Sequence, residues 1–506
     1  MNISITRYTA SRIYFLMILA IAPLYMTRGF RRILSDKTTI VWVSIAVGIA
    51  LFIALALKEF AVKVKEASFK EAMINDAGTG KNEKNMIDIF VFIFGSVCFI
   101  SSFYSEYRYE AFTGAGAWYV GGAMLMALAI MYFLTSEESK DDIIPFFGMM
   151  FGGTITMVIA LLNDLWIDPL GALETVDVNW RNHYTSTIGN TNQFCGYLSI
   201  IIPIMVVIFV TSENGFKKTA AAIVLFLGYL NMFLTHADSI YVGVGIGLVF
   251  IIAFCLRNAN RYMGLLINGI LFCVAGFAAK VIILYRPEIK LDTVSPVLLA
   301  HNVHMIVGGI CFILLLLQMA LELKYKKDEL ERFMKGVFWV YIAIVVILFI
   351  GVIIYCIKKF DMYFLNRRGL LWYIAVTTFW DNELLQQIIG IGPGCIDEIS
   401  RDFYFDIVEA YGDFYFLQNA HNDLVEYLLT TGILGALSYL GIYICIITDY
   451  VKSVVRNEAI KGPKLYALIG LIGYIAQSIM NGPHPLTTAM FFVLLSIYRK
   501  SGKIEN

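Results

Sequence analysis

The sequence predicts an all-α, polytopic membrane protein, and three observations predict it. Of its 506 residues 59% are hydrophobic and only 15% are charged, whereas a soluble domain of this length carries far more surface charge. The mean hydropathy is +0.72. The apolar residues gather into runs of about 20, the length a helix needs to cross the hydrocarbon core.

Fourteen such runs can be read, centred near residues 20, 48, 96, 126, 154, 203, 227, 248, 272, 309, 347, 436, 472 and 492. The first, Ile13–Met26, is short and contains Pro23. Ala20-Ile21-Ala22 has the form of a signal-peptide cleavage site, but Pro23 directly after it blocks processing, and Arg28, Arg31 and Arg32 follow. A retained anchor is expected. In the charged connection 58–88, Lys58–Met73 has amphipathic helical spacing. Gly78-Thr79-Gly80-Lys81-Asn82 imitates a phosphate loop, but Asn75 replaces its first glycine and Asn82 its hydroxyl residue. A solvated loop is the expectation there. The loop 166–192 carries Arg181 and His183 and ends in Gly189-Asn190-Thr191-Asn192, turn residues that lead into a helix at about Gln193.

The organisation that follows is eleven spans in 1–357, one large loop in 358–423, and three spans with a tail in 424–506. With the N-terminus inside, cytoplasmic segments hold 25 of the 39 Lys and Arg, and outer loops hold 13. The excess satisfies the positive-inside rule, with one local dissent at Arg28–Lys37. Both termini then lie in the cytoplasm. All six histidines, His183, His236, His301, His304, His421 and His484, fall on or near the outer face, so chemistry is expected outside. Lys+Arg and Asp+Glu balance at 39 each, which gives no basic field for nucleic acid. The eight cysteines form no C-x-x-C pair, and most lie in apolar runs, as packed thiols do.

The loop 358–423 is too apolar to be disordered. It opens with Arg367-Arg368-Gly369-Leu370-Leu371-Trp372 and turns at Gly390-Ile391-Gly392-Pro393-Gly394. Then Phe403, Tyr404, Phe405, Tyr411, Phe414, Tyr415 and Phe416 interleave with Asp402, Asp406, Glu409 and Asp413. Aromatic faces and carboxylates suit sugar rings; a cap with its own small core is the alternative. His421 follows where the chain re-enters the membrane, with ten residues between it and Gly432.

These elements resemble the O-antigen ligase and O-antigen polymerase family of membrane glycosyltransferases, marked by R-x-x-x-L and H-x10-G elements in one large periplasmic loop. Arg367 and Leu371 fit the first spacing, Arg368 and Trp372 its R-x-x-x-W variant, and His421 and Gly432 the second. The Gly390–Gly394 turn and the stretch Thr187–Leu198 are similar to family landmarks too, so the resemblance covers about 180–445. In one respect the sequence departs: Leu234–Ile240 lacks the arginine the family often places after a serine, and Arg181 is the candidate substitute. Fourteen spans also exceed the usual twelve.

The resemblance implies a GT-C-like protein of the plasma or inner membrane that moves a glycan from polyprenyl diphosphate to an acceptor hydroxyl on a glycan, lipid or protein, among membrane lipids. The role of Arg368 is then to hold the diphosphate, with Arg367 and Arg181 assisting, because guanidinium binds phosphate bidentately and never loses its charge. His421 is the expected base, with a rate falling around pH 6–7 if its imidazole is unperturbed. Asp423 and Glu426 are candidates to orient it. No metal ion or other cofactor is expected; His301 and His304, three residues apart, are two ligands without a third. His484, between two prolines, reads as a turn residue. The leading alternative is a lipid-linked glycan flippase or another transporter, and a third is a non-catalytic assembly subunit. Transporters place ionisable groups and broken helices near the midplane, and few charges lie in these spans.

Overall fold

The computed structural model describes residues 6–66, 85–116, 118–136, 142–289, 291–457 and 460–500. Its first half runs α1 (Arg7–Leu16, prolonged by a π turn, Met17–Ile21), α2 (Ile33–Glu66), α3 (Met86–Tyr104), α4 (Arg108–Thr113), α5 (Gly122–Ser136) and α6 (Ile144–Asp164). A two-residue ladder, β1 (Tyr184–Thr185) with β2 (Gly189–Asn190), precedes α7 (Thr191–Thr211). Then come α8 (Gly215–Leu234), α9 (Ser239–Cys255), α10 (Ala259–Tyr285), α11 (Val294–Ala300), α12 (Val303–Lys324) and α13 (Lys327–Lys359). The large loop contains α14 (Phe364–Asp381), α15 (Leu384–Ile389) and α16 (Tyr404–Tyr411), and α17 (Asp423–Thr430) leads out of it. The chain continues through α18 (Gly432–Arg456), α19 (Gly462–Ser478) and α20 (Pro485–Lys500).

Asparagine starts five of these helices: Asn85, Asn190, Asn214, Asn258 and Asn422 each accept a hydrogen bond from a backbone N–H of the first turn. Those N–H groups have no partner inside the helix. The Gly-Asn turn before α7 is therefore both hairpin and cap, and the helix begins at Thr191, two residues before the expected start.

Among the described residues nine helices are long and apolar enough to cross a membrane: α2, α3, α6, α7, α8, α10, α12, α13 and α18. The other apolar runs read from the sequence also fold as helices, but shorter ones. Helices α5, α9 and α20 fall between 10 and 17 residues, α19 has 17, and α1 with its π turn stops at Ile21. Length alone therefore supports nine spans rather than fourteen. In α7, 94% of the apolar window is buried, against 11% in α12 and 6% in α13, so α7 is the centre of the bundle and α12 and α13 its rim.

Contacts join the connections into two opposed ends. At one end Thr187 Oγ1 donates to Pro23 O at 2.7 Å, Asn481 Nδ2 to Asn192 O at 3.4 Å, and Trp118 Nε1 to Gln418 Oε1 at 2.9 Å. At the other, Arg12 pairs with Asp142 at 2.6 Å and Arg499 with Asp88 at 3.1 Å, and Tyr498 donates to Asp449 at 2.7 Å. One member of the local dissent in basic charge, Lys37, acquires a cause, while Arg28, Arg31 and Arg32 stay exposed. Lys37 is fully buried, and its Nζ donates to the carbonyls of Ala22, Pro23 and Tyr25 at 2.8–2.9 Å. It caps the broken end of the first helix rather than facing a leaflet.

The loop 358–423 folds over a separate apolar cluster that includes Leu370, Ile374, Phe379, Ile396, Ile407 and Leu417. The two readings of its aromatics divide by residue. Phe403, Tyr411 and Phe414 pack on the cluster, while Tyr404, Phe405, Tyr415 and Phe416 are exposed. Helix α2 runs unbroken from Lys58 to Glu66; the rest of Lys58–Met73 and the Gly78–Asn82 segment lie outside the described residues.

Candidate functional site

Helix α14 opens with three left-handed residues, Leu365, Asn366 and Arg367, at φ 48°, 57° and 69°. The turn is tight enough that a Cβ on Gly369 would overlap the Asp361 carbonyl. This reversal sends the two arginines in different directions. Arg367 Nε donates to Ala410 O at 2.7 Å, and its guanidinium lies over the Tyr411 ring at 5.1 Å, so it ties α14 to α16. Arg368 Nε donates to Met480 O at 3.0 Å and Nη1 to Leu365 O at 3.0 Å. Among the described residues no carboxylate pairs with Arg368.

One turn on, Trp372 Nε1 donates to Ala420 O at 3.1 Å. That places the residue before His421 against the same helix that carries Arg368. The bend at His421 has φ +50°, uncommon and strained for a residue with a Cβ, and its neighbours over-determine it. His421 N donates to Asn419 Oδ1 at 2.9 Å, Ala420 N to Glu426 Oε2 at 2.6 Å, and Asn422 caps α17 while donating to Ile479 O at 3.2 Å. The His421 ring stands edge-on to Trp118, centroids 5.7 Å apart, and its Nδ1 is buried with no hydrogen-bond partner among the described residues. Burial, and secondarily the positive charge of Arg368, lower the imidazole to about 3. The imidazole is thus perturbed toward its neutral form, and the unperturbed ring on which a titration around 6–7 was conditional is not what the fold supplies.

The two carboxylates do not flank the imidazole as expected. Asp423 points into the bundle, where its Oδ2 accepts from Tyr474 at 2.7 Å, Tyr439 at 3.2 Å and Tyr443 at 3.4 Å. Glu426 acts on His421 only through the Ala420 amide. Both are buried, and burial pushes Asp423 up to about 7 and Glu426 to about 8. A carboxyl raised in the folded state stabilises the fold below the ordinary carboxylate range and loses that contribution as pH rises through the folded value. Thermal stability in detergent should thus fall between about pH 4, the ordinary carboxylate range, and about pH 8, the higher of the two folded values, and Asp423→Asn, whose amide oxygen still accepts from Tyr474, should flatten the fall. A wild-type midpoint that climbs over this range would reject the assignment.

Arg181 is not part of this group. It lines a separate small pocket with Asp164, Trp166, Tyr184 and His236, where His236 Nε2 lies 3.8 Å from Asp164 and burial lowers His236 to about 4. His304 is buried against Gly276 and Phe233, while His301 is exposed. Among the described residues no three His, Cys, Asp or Glu side chains are placed to hold a metal ion.

Sequence reasoning missed two members of the site. Trp118 lies in the short connection between α4 and α5, bonded to Gln418, and its ring also meets His484 edge-on at 6.4 Å. His484 is buried with neither ring nitrogen partnered among the described residues, and burial and Lys37 lower it to about 3. A Pro-His-Pro triplet on the histidine-rich face was the available signal for it; an isolated Trp118 offered none.

The second half of the H-x10-G element has a backbone explanation. Gly432 sits at φ +65° between α17 and α18, and a Cβ there would overlap the Ile388 carbonyl. Gly390, at φ +83°, faces the Thr430 carbonyl as closely. The helix break between them is satisfied across the gap: Ile391 N donates to Leu429 O at 3.2 Å and Gly392 N to Thr430 O at 2.9 Å. The glycine turn of the loop and the glycine of the membrane helix are one packing unit. The chain matches no model of a known protein family and no curated protein in sequence.

Proposed function

We propose that the chain is a membrane glycosyltransferase that transfers or polymerises a glycan from a polyprenyl diphosphate onto an acceptor hydroxyl at the outer face of the membrane. The observation that carries this reading is the pairing of Arg368, a guanidinium with no carboxylate partner among the described residues, with the buried Nδ1 of His421, which has no hydrogen-bond partner among them either. Arg368 is near enough to lower His421 electrostatically. A cation held on the Met480 carbonyl with donors to spare suits diphosphate, whose charge grows as it leaves. A neutral imidazole suits removal of the acceptor proton. Diphosphate bound beside Arg368 offsets that positive charge and raises the imidazole toward its ordinary basicity, so the base strengthens when donor is present. Glu426, Trp372 and Asn422 hold the His421 bend, and Arg367 braces the cap; Arg181 has no part in the reaction on this reading.

The same reading takes all fourteen apolar helices as membrane-inserted, the shorter ones shielded by neighbours, with both termini cytoplasmic. Single cysteines replacing Phe405 in the cap and Glu213 between α7 and α8, in a chain stripped of its eight native cysteines, should separate the faces. In intact cells an impermeant thiol reagent should label position 405 and spare 213; the reverse pattern would put the site on the cytoplasmic side and end the proposal.

Purified protein supplied with a lipid-linked glycan and a hydroxyl acceptor should turn over, and should continue to do so with a chelator present. Movement of the intact lipid-linked glycan between leaflets without bond cleavage would favour a flippase instead.

A further inference from the structure

A cavity of about 1090 Å³ opens at the end opposite His421, among Leu256–Arg261, the start of α13, Asn457 and Lys461. Six cations line it, Arg257, Arg261, Lys327, Arg332, Lys335 and Lys461, against three carboxylates, Glu322, Asp328 and Glu331. Three positive charges are left over. Proximity has not neutralised them: among the described residues none of the six pairs with a carboxylate. Two of the three guanidiniums are instead stacked on rings, Arg257 over Phe338 at 4.8 Å and Arg261 over Phe254 at 4.2 Å, and Arg332 Nε donates to Asp328 O at 3.4 Å. Arg257 Nε is buried with no acceptor among the described residues. The N-termini of α10 (Ala259) and α13 (Lys327) also face the cavity, and although Asn258 caps the first turn of α10, each presents the positive end of its dipole.

An apolar cleft of about 600 Å³ adjoins it along the bundle, walled by α8, α9, α10, α12 and α13. Leu256 lines both. The walls are continuous too: on α13, Leu330 and Met334 face the charged cavity while Val337, Tyr341 and Ile344 face the cleft, the three-to-four spacing of one helix face. The cleft persists because α13 barely packs on the bundle, with 6% of its apolar window buried.

We propose that this composite groove binds one anionic phospholipid, its phosphate in the cationic cavity and its chains in the cleft. A phosphate headgroup answers the uncompensated cations and helix ends, and the joined apolar cleft selects a lipid over free phosphate. The site lies at the opposite end from His421 and stands independently of the glycosyltransferase reading.

The test is native mass spectrometry of the full chain in detergent with added phosphatidylglycerol or phosphatidylcholine. The protein should retain one phosphatidylglycerol in preference to phosphatidylcholine. Arg257→Gln with Arg261→Gln should weaken phosphatidylglycerol about thirtyfold, at the usual contribution of two basic residues. Lys327→Gln with Lys335→Gln, exposed positions that fold safely, should weaken it comparably. Val340→Trp, at a cleft-lining position 61% exposed, should narrow the cleft and also reduce retention. Equal retention of the two lipids, or unchanged retention in both charge variants, would overturn the site. Retention unaffected by Val340→Trp but abolished by inorganic phosphate would reduce it to a phosphate pocket and overturn the lipid.

Discussion

His421→Gln is expected to bind lipid-linked donor almost normally and to lose about two to four orders of magnitude in single-turnover rate, the usual yield of a general base. Arg368→Lys should behave differently. It keeps the charge and loses the fork, so both donor affinity and rate should fall, because the diphosphate is held before and during bond cleavage. Measuring affinity and rate for both variants separates the roles. A His421→Gln protein that stays active, or that fails only because donor no longer binds, would remove the imidazole from the base role.

The pH dependence sharpens this. In the free protein His421 is lowered to about 3 by burial and by Arg368, so it is available as a base throughout the neutral range. The profile of kcat/KM, which reports the free enzyme, should show no loss from this group between pH 5 and 8. The profile of kcat should carry its acid limb at higher pH, because bound diphosphate favours the protonated ring. Coincident acid limbs in the two profiles would mean that donor and His421 do not meet.

Gly432→Ala is expected to be strongly destabilising. A non-glycine residue in the left-handed region costs about 1–2 kcal/mol, and overpacking typically adds about 1–3 kcal/mol. Here the obstacle is the Ile388 carbonyl, backbone that cannot rotate away. Thermal unfolding in detergent should show a midpoint several degrees lower, or no monodisperse protein. Gly462→Ala, also at positive φ but with open space around it, is the control and should cost only the strain. Equal effects at the two positions would show that the α15–α18 contact does not matter.

The arginine pair was legible at Arg367 and Arg368, but not the division of labour between them. That division follows from three left-handed residues, Leu365, Asn366 and Arg367, and none of the three is a glycine that would have signalled them. Asp423 and Glu426 were legible as carboxylates near His421, yet helix geometry carries Asp423 into a tyrosine cage and leaves Glu426 to brace the bend. The two residues lie three apart, and sequence spacing could not show that their carboxyl groups reach different partners.

Hydropathy and charge by themselves determined that this chain is helical and membrane-embedded, because each helix satisfies its own backbone in lipid whatever its neighbours are. The glycine and asparagine signals fixed turns and helix starts for the same reason, since their causes lie within a few residues. Only tertiary structure decided that Trp118, Met480 and His484 join His421, that Arg181 stands apart, and that Lys37 caps a helix. Those contacts close over separations such as the 112 residues from Arg368 to Met480 and the 300 from Trp118 to Gln418. At that range the partner is chosen by how the helices pack, which no local pattern encodes.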